Sequence, residues 1–152
     1  MNTRRLVSPL LMWIIIFIGI LVSLLVLKGE RLFNLPIVGL IIFGLAFVYW
    51  ICIFISAWKA HIQAVRSSES ITKLVTTGIY KQIRHPMYSA DIVLAWGLWF
   101  YLPSINILVS MLWLTTVLII WSRLEEKMMT EKFGNQYLKY KQNVPAFLPK
   151  LK

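Results

Sequence analysis

Acidic side chains are scarce in this chain. Six Asp and Glu stand against 16 Lys and Arg in 152 residues, a formal net charge of +10. Cysteine is scarcer still. Cys52 is the only one and sits inside an apolar run, so an intramolecular disulfide framework is excluded. Charged residues make up 14% of the chain and hydrophobic residues 59%, with a mean hydropathy of +0.71. A soluble domain is about half apolar and about a quarter charged. These shortages exclude an ordinary cytosolic domain, a disordered chain and a collagenous or disulfide-stapled scaffold. In so apolar a chain, excess positive charge points to orientation in a bilayer rather than to nucleic-acid binding.

What is present is four apolar segments. Residues 6–27 and 35–58 run for 22 and 24 positions without a charge. As helices, both exceed a hydrocarbon core of about 30 Å at 1.5 Å per residue. Residues 87–102 form a shorter segment of 16 that contains Asp91, and residues 104–121 one of 18 without charge. Pro103 separates these two, which read as a tight hairpin. The first segment is too long for the apolar part of a secretory signal, and no small-residue cleavage site follows Leu27. It is expected to be a span. The fold class is therefore all-α: one membrane domain over residues 1–152, with four spans, a cytoplasmic loop 59–86 and a cytoplasmic helical tail 122–152.

Lys and Arg set the orientation. Arg4 and Arg5 precede the first segment, and Lys28 and Arg31 follow it. Lys59, Arg66, Lys73, Lys81 and Arg84 lie between the second and third. The Pro103 turn has none, and the remaining seven lie after the fourth segment. Four spans thus put fourteen basic residues on one side and two on the other. The positive-inside rule places both termini in the cytoplasm of a cell inner or plasma membrane. Membrane lipids are the first expected partners, since some of these lysines meet anionic headgroups. No nucleic-acid partner is expected, and the sequence assigns no oligomeric state.

Ionisable groups gather where the cytoplasmic pieces meet the hairpin. Pro86 suits the first position of a helix, with His85 as its cap. A helix start beside Arg84 and His85 suits an anion such as a carboxylate or phosphate. An antiparallel hairpin returns Glu125 and Glu126 to the level of His85 and Tyr88. An anion site, a carboxylate pair and aromatic rings together suit a zwitterionic or cationic ligand. The tail should be helical through residue 133, break at Gly134 and resume over residues 135–142, with Tyr137 and Tyr140 on one face. Adjacent glutamates on a helix point about 100° apart. One of the pair should therefore face the hairpin, and the other solvent or a basic neighbour such as Lys127. Asp91 lies at membrane depth, where carboxylates are costly and paired or functional. Arg84 and Lys81 are its expected partners if its role is to pin the helix. Simpler readings compete: a solvated glutamate pair, interfacial Arg84 and His85, and an aromatic belt of Tyr and Trp.

Two ordered blocks carry a resemblance. Leu74-Val75-Thr76-Thr77-Gly78-Ile79-Tyr80 precedes Arg84-His85-Pro86-Met87-Tyr88. In the tail, Glu125-Glu126 is followed by Phe133-Gly134, Tyr137, Tyr140, Val144-Pro145 and Leu148-Pro149. Together they resemble the isoprenylcysteine carboxyl methyltransferase and phospholipid methyltransferase group, over residues 71–152. The resemblance implies an integral-membrane methyltransferase that uses S-adenosylmethionine and takes a lipid-like or small hydrophobic acceptor from the bilayer. By position it assigns Leu74, Val75, Gly78, Tyr80, His85, Pro86 and Tyr88 to the cofactor, with Glu125 or Glu126 completing the pocket. On the residues themselves Arg84 joins the anion site, Glu126 is favoured for the cofactor and Glu125 for the acceptor side, Arg123 and Asp91 are candidates for the acceptor's chemistry, and no metal is expected. The acceptor stays open among carboxylate, amine and thiol.

Three positions depart from the pattern. Asp91 stands where members are usually apolar. Ala90 follows the first block where glycine is common. Trp121 replaces an arginine that often lies one turn before the first tail glutamate, and Arg123 is the arginine present. The rival readings are a non-enzymatic four-span protein, such as a small transporter or assembly factor, and an enzyme resembling the membrane sterol reductases. The first needs a polar track between spans, yet only Asp91 lies within one. The second needs a nicotinamide site, and no glycine-rich dinucleotide fingerprint is present. The charge count makes a direct prediction. With Cys52 replaced, single cysteines near Lys28 and at Ser104 should react with an impermeant thiol reagent from outside, and one at Lys141 only after permeabilisation. The reverse labelling would invert the topology.

Overall fold

The computed structural model describes residues 8–66 and 74–149. Arg4, Arg5, Lys73, Lys150 and Lys152 of the charge count lie outside these residues, as do Leu6 and residue 71. Five α-helices follow in order: α1 Pro9–Val26, α2 Pro36–Arg66, α3 Pro86–Tyr101, α4 Ile105–Phe133 and α5 Asn135–Asn143, with a 3-10 turn Gly78–Lys81 before α3. Among the described residues the only strand-like pairing is an isolated bridge between Arg31 and Ser104.

Proline opens three of these helices, as its missing N–H permits at a first turn. α3 begins at Pro86 and is capped by His85, as the sequence predicts. α4 stops at Gly134, whose φ of 52° favours glycine. α5 resumes one residue later and ends at Asn143, one position past the expected end. α2 departs further from expectation. It continues eight residues beyond the apolar segment, because the charge at Lys59 ends the hydrophobic run without ending the helical hydrogen bonding.

Three helices are long and apolar enough to cross a membrane: Pro9–Val26, Pro36–Ala60 and Ile105–Phe133. Large apolar side chains including Leu10, Phe17, Leu25, Ile37, Leu45 and Ile120 are exposed along them. Exposure on that scale suits hydrocarbon rather than water as the solvent, and the chain is an integral membrane protein. α3 has 16 residues. At about 24 Å it falls short of a bilayer core. α4 has 29 residues, about 43 Å, so its last turns have length to spare beyond the core.

α2 packs along α3, and α1 along α4. Met12 and Ile16 of α1 meet Ala95 of α3 and Met111, Leu114, Leu118 and Trp121 of α4 in the buried core. At the end away from the tail, the Leu32 N–H donates to the Pro103 carbonyl at 2.7 Å, joining the first loop to the hairpin turn. Glycines let α2 approach α3. A Cβ added at Gly97 would sit 2.6 Å from the Ala46 methyl. One at Gly39 would fall on the Phe100 carbonyl oxygen and 2.9 Å from the Tyr101 Cα. Backbone cannot swing aside as a side chain can. Gly39→Ala should therefore destabilise the chain in detergent by about 1–3 kcal/mol, the usual scale of overpacking. Unchanged unfolding of Gly39→Ala would mean that the helices are not in such close contact.

Candidate active site

A polar cluster forms where the start of α3, the last turns of α4 and the segment after α5 converge. The Arg84 and His85 N–H groups donate to the Pro145 and Ala146 carbonyls at 2.9 and 3.0 Å. Ser89 Oγ donates to the Phe147 carbonyl at 2.8 Å. The post-α5 segment is thereby strapped over the α3 cap. Tyr140 adds a hydrogen bond from its hydroxyl to the Tyr80 carbonyl at 2.6 Å. Gly78, before Tyr80, has a φ of 60°, and a Cβ there would come within 3.2 Å of the Ala60 methyl. Glycine therefore suits both the turn and its fit against α2.

Glu126 is the hub. Arg84 Nη2 and Nε reach its Oε1 at 2.7 and 3.0 Å, and His85 Nε2 meets the same oxygen at 3.2 Å. Lys141 Nζ meets Oε2 at 2.7 Å. Arg84 Nη1 also donates to the Lys141 and Val144 carbonyls at 2.7 and 2.8 Å. The anion at the α3 start is thus a protein carboxylate in this structure. The Lys141 contact is not apparent from the sequence alone. Its signal is the i, i+4 spacing from Tyr137, which puts Lys141 on the inward face of α5.

Glu125 also faces inward. Its Oε1 accepts from the Tyr88 hydroxyl at 2.6 Å, and its Oε2 lies 3.7 Å from His85 Nδ1. Neither glutamate faces solvent, and the basic neighbours that Glu126 takes are Arg84 and Lys141 rather than Lys127. The cap and the first turn of α3 lie side by side against α4, so residues 100° apart both find partners there. The His85 and Tyr88 rings lie parallel with centroids 5.7 Å apart, and Phe147 sits 5.8 Å from His85 on the strap.

The remaining predicted residues divide. Leu74 and Val75 are half-buried in the segment leading to the 3-10 turn, and Pro86 is buried. Arg123 is exposed, and among the described residues nothing pairs with it. Asp91 does not pair with Arg84 or Lys81. Its Oδ1 accepts from Trp50 Nε1 of α2 at 2.8 Å, since Arg84 is drawn to Glu126 instead. Trp121 Nε1 is buried without a hydrogen-bond partner. It lies one turn before Glu125 in the core against which Tyr88 packs. An unused buried donor is costly, about 1–3 kcal/mol. Among the described residues no group of three His, Cys, Asp or Glu side chains is placed to hold a metal ion.

With this geometry in place, comparisons with known proteins define the class. A family model described as phospholipid methyltransferase matches residues 36–136, and the chain belongs to that family. The match begins at α2, earlier than the two blocks legible by eye. The chain is 33% identical over 97 residues to methanethiol S-methyltransferase of Pseudomonas deceptionensis, covering 62% of this chain and 36% of that protein. It is 30% identical over 95 residues to protein-S-isoprenylcysteine O-methyltransferase B of Arabidopsis thaliana, covering 59% and 45%. It is 30% identical over 126 residues to protein-S-isoprenylcysteine O-methyltransferase of Xenopus laevis, covering 78% and 42%. The aligned region spans less than half the length of each of these relatives.

Burial pushes the His85 imidazole below its ordinary 6.5; Glu126 opposes this, and Arg84 and Lys141 reinforce it. Burial also pushes the Tyr80 hydroxyl up, aided by Glu125, and burial holds Tyr140 at about 12. Both tyrosines stay protonated donors. A neutral His85 bonded to Glu126 carries its proton on Nε2, an assignment made from that partner. The unfolded chain takes up a proton at 6.5 while the folded chain resists it. The His85 contribution to stability is therefore complete above 6.5 and is lost as pH falls below that value. Denaturation in detergent micelles should show stability declining below this point, with a shallower decline in His85→Gln. Equal slopes would place His85 in contact with water.

Proposed function

We propose that this chain is a four-span, S-adenosylmethionine-dependent methyltransferase with both termini in the cytoplasm. In this reading α3 is the short third span, and the acceptor is lipid-like or a small hydrophobic molecule reaching the site from the bilayer. The observation that carries the reading is the docking of Glu125 and Glu126 onto His85 and Tyr88, within a chain of the phospholipid methyltransferase family.

The residues present fit the methyl donor. S-adenosylmethionine, when bound, supplies an electrophilic methyl on a sulfonium and also carries an ammonium, a carboxylate and an adenine. His85 Nδ1 and Glu125 Oε2 are two acceptors 3.7 Å apart, a gap suited to an ammonium or hydroxyl donor. The parallel His85 and Tyr88 rings offer faces to a cation or an adenine. The unpartnered Trp121 N–H offers a donor to a carboxylate or hydroxyl. Leu74, Val75, Gly78, Tyr80, Arg84 and Pro86 shape the surrounding shell. Both Glu126 oxygens are engaged by protein cations, whereas Glu125 Oε2 has no close hydrogen bond. This supports Glu125 as the glutamate that touches a ligand and Glu126 as the one that positions Arg84 and His85.

Such a site works by holding donor and acceptor in line, which can contribute about 7–11 kcal/mol. The names of the matched relatives include both S- and O-methylation, so family membership leaves the nucleophile open. A carboxylate nucleophile needs no base, while an amine or thiol must lose a proton to a nearby group. Asp91 and Glu125 are the carboxylates placed for that role. Arg123, exposed on α4, is left as a residue that steers an anion at the surface.

Calorimetric titration of the detergent-purified chain with S-adenosylhomocysteine tests the reading. Saturable binding is expected, weakened in His85→Ala by about 1.5–3 kcal/mol, the scale of one charge-assisted hydrogen bond. Glu125→Gln should weaken binding without unfolding the chain. Glu126→Gln should also lower stability. A folded protein that takes up no S-adenosylhomocysteine would overturn the proposal.

A further inference from the structure

The side of α4 turned away from the site has a pattern of its own. Val109, Trp113, Thr116, Ile120, Arg123 and Lys127 follow at spacings of four and three, and so line one face of the helix. All six are exposed. Glu125 lies about 200° around the helix from Arg123, on the opposite side. The polar groups between Val109 and Ile120 on this face are met within the protein. Thr116 Oγ1 donates to the Leu112 carbonyl at 2.8 Å, and Trp113 Nε1 to the Ile15 carbonyl of α1 at 3.1 Å. That stretch therefore offers hydrocarbon a surface without unmet donors. It ends in two cations. Among the described residues neither Arg123 nor Lys127 has an ion pair, and Glu131, one turn beyond Lys127, pairs with neither. Glu126 is already held by Arg84 and Lys141.

The other end of the stripe runs into α1. Val109 and Trp113 form one wall of an apolar groove of about 550 Å³, and Ile18 and Val22 of α1 form the other. The Trp113 ring is fixed there. A Cβ added at Gly19 would fall on its indole, and the bond to the Ile15 carbonyl holds its edge against α1. From Arg123 to Trp113 is ten residues, about 15 Å, or half of a hydrocarbon core of about 30 Å. A lipid chain whose headgroup sits at Arg123 therefore reaches the groove near the middle of the bilayer.

We propose that this face binds an anionic phospholipid, with its phosphate between Arg123 and Lys127 and one acyl chain running along Ile120 and Thr116 into the α1–α4 groove. Residues at i and i+4 stand about 5–6 Å apart, so one phosphate can meet both cations. The charges select the headgroup. A zwitterionic lipid adds a cation to a patch that already holds two against the single carboxylate of Glu131, and an uncharged diacylglycerol leaves both cations unmet. The lipid lies on the side of α4 opposite Glu125 and is not the methyl acceptor. The inference therefore goes beyond the methyltransferase reading and does not depend on it. Its effect is to hold the last turns of α4, whose other side carries both glutamates, at the depth of the headgroups.

The test uses the full chain in neutral maltoside micelles, with tryptophan indoles labelled with nitrogen-15. The Trp113 N–H resonance is assigned by its loss in Trp113→Phe, and that of Trp50, on α2, by its loss in Trp50→Phe. Phosphatidylglycerol and phosphatidylcholine, each with a nitroxide near the end of one acyl chain, are titrated separately. Labelled phosphatidylglycerol should broaden the Trp113 resonance saturably, at a lipid-to-detergent ratio about tenfold lower than labelled phosphatidylcholine requires. The Trp50 resonance should respond alike to both. In Arg123→Gln/Lys127→Gln the ratio needed for phosphatidylglycerol should rise about tenfold or more, at about fivefold for each cation removed. Lys59→Gln/Lys139→Gln removes the same charge elsewhere and should leave the ratio unchanged. Equal broadening by both lipids, or an equal rise in the two double variants, overturns the proposal and leaves only a general attraction between charged surfaces. Reversal of the broadening by inorganic phosphate also overturns it and makes the cations a water-facing phosphate site. If Arg123→Gln/Lys127→Gln loses the folded indole spectrum, the single variants decide, with about a fivefold rise expected for each and no rise overturning the proposal.

Discussion

A buried carboxylate must find partners, and the polar end of this protein is organised around one. Glu126 is 7% exposed and gathers Arg84 and His85 from the start of α3 and Lys141 from α5. Burying such a charge is repaid only when well-placed partners compensate it. The requirement therefore fixes more than one side chain. It holds the cap of α3 against α4, turns the His85 ring toward Glu125, and sets α5 where Lys141 can reach inward. Arg84 extends the effect by donating to the Lys141 and Val144 carbonyls, which orients the segment that covers His85.

The rest of the molecule is arranged so that this polar cluster sits at one end of an apolar body. The core of Met12, Ile16, Leu114, Leu118 and Trp121 ties α1 to the hairpin. Gly39 and Gly97 allow α2 to lie close along α3. α4 is long enough to belong to both regions: its first turns are packed in the apolar core and its last turns carry the glutamates. That continuity makes the spacing between membrane and site a property of one rigid helix.

Much of this was legible in the sequence because it depends on local chemistry. Pro86 marks the start of α3, Gly134 marks the end of α4, and an antiparallel hairpin about Pro103 necessarily returns Glu125 and Glu126 to His85 and Tyr88. The contacts that were not legible join residues far apart in the chain. Trp50 meets Asp91 across 41 positions, and no periodicity within either helix announces that pair. By sequence Lys141 is one of several tail lysines, since a count of charges records side and not direction. The inward turn of both glutamates followed from the width of the surface opposite them, which belongs to tertiary structure. Hydropathy reports where apolar residues stop, whereas the backbone hydrogen bonding of α2 continues to Arg66.

The strap over His85 has a consequence for the order of assembly. Ser89 and Phe147, which help to hold it, are 58 positions apart, with the entire hairpin between them. Loop-closure entropy must be met before such a contact gives anything back. During synthesis the chain emerges from its N-terminus, so the long apolar helices can enter the bilayer and pack while the carbonyls of Pro145, Ala146 and Phe147 do not yet exist. The hydrophobic body is then a template completed early, and the polar cluster is its final step. A newly made chain passes through a period in which it is already inserted and still unable to enclose His85.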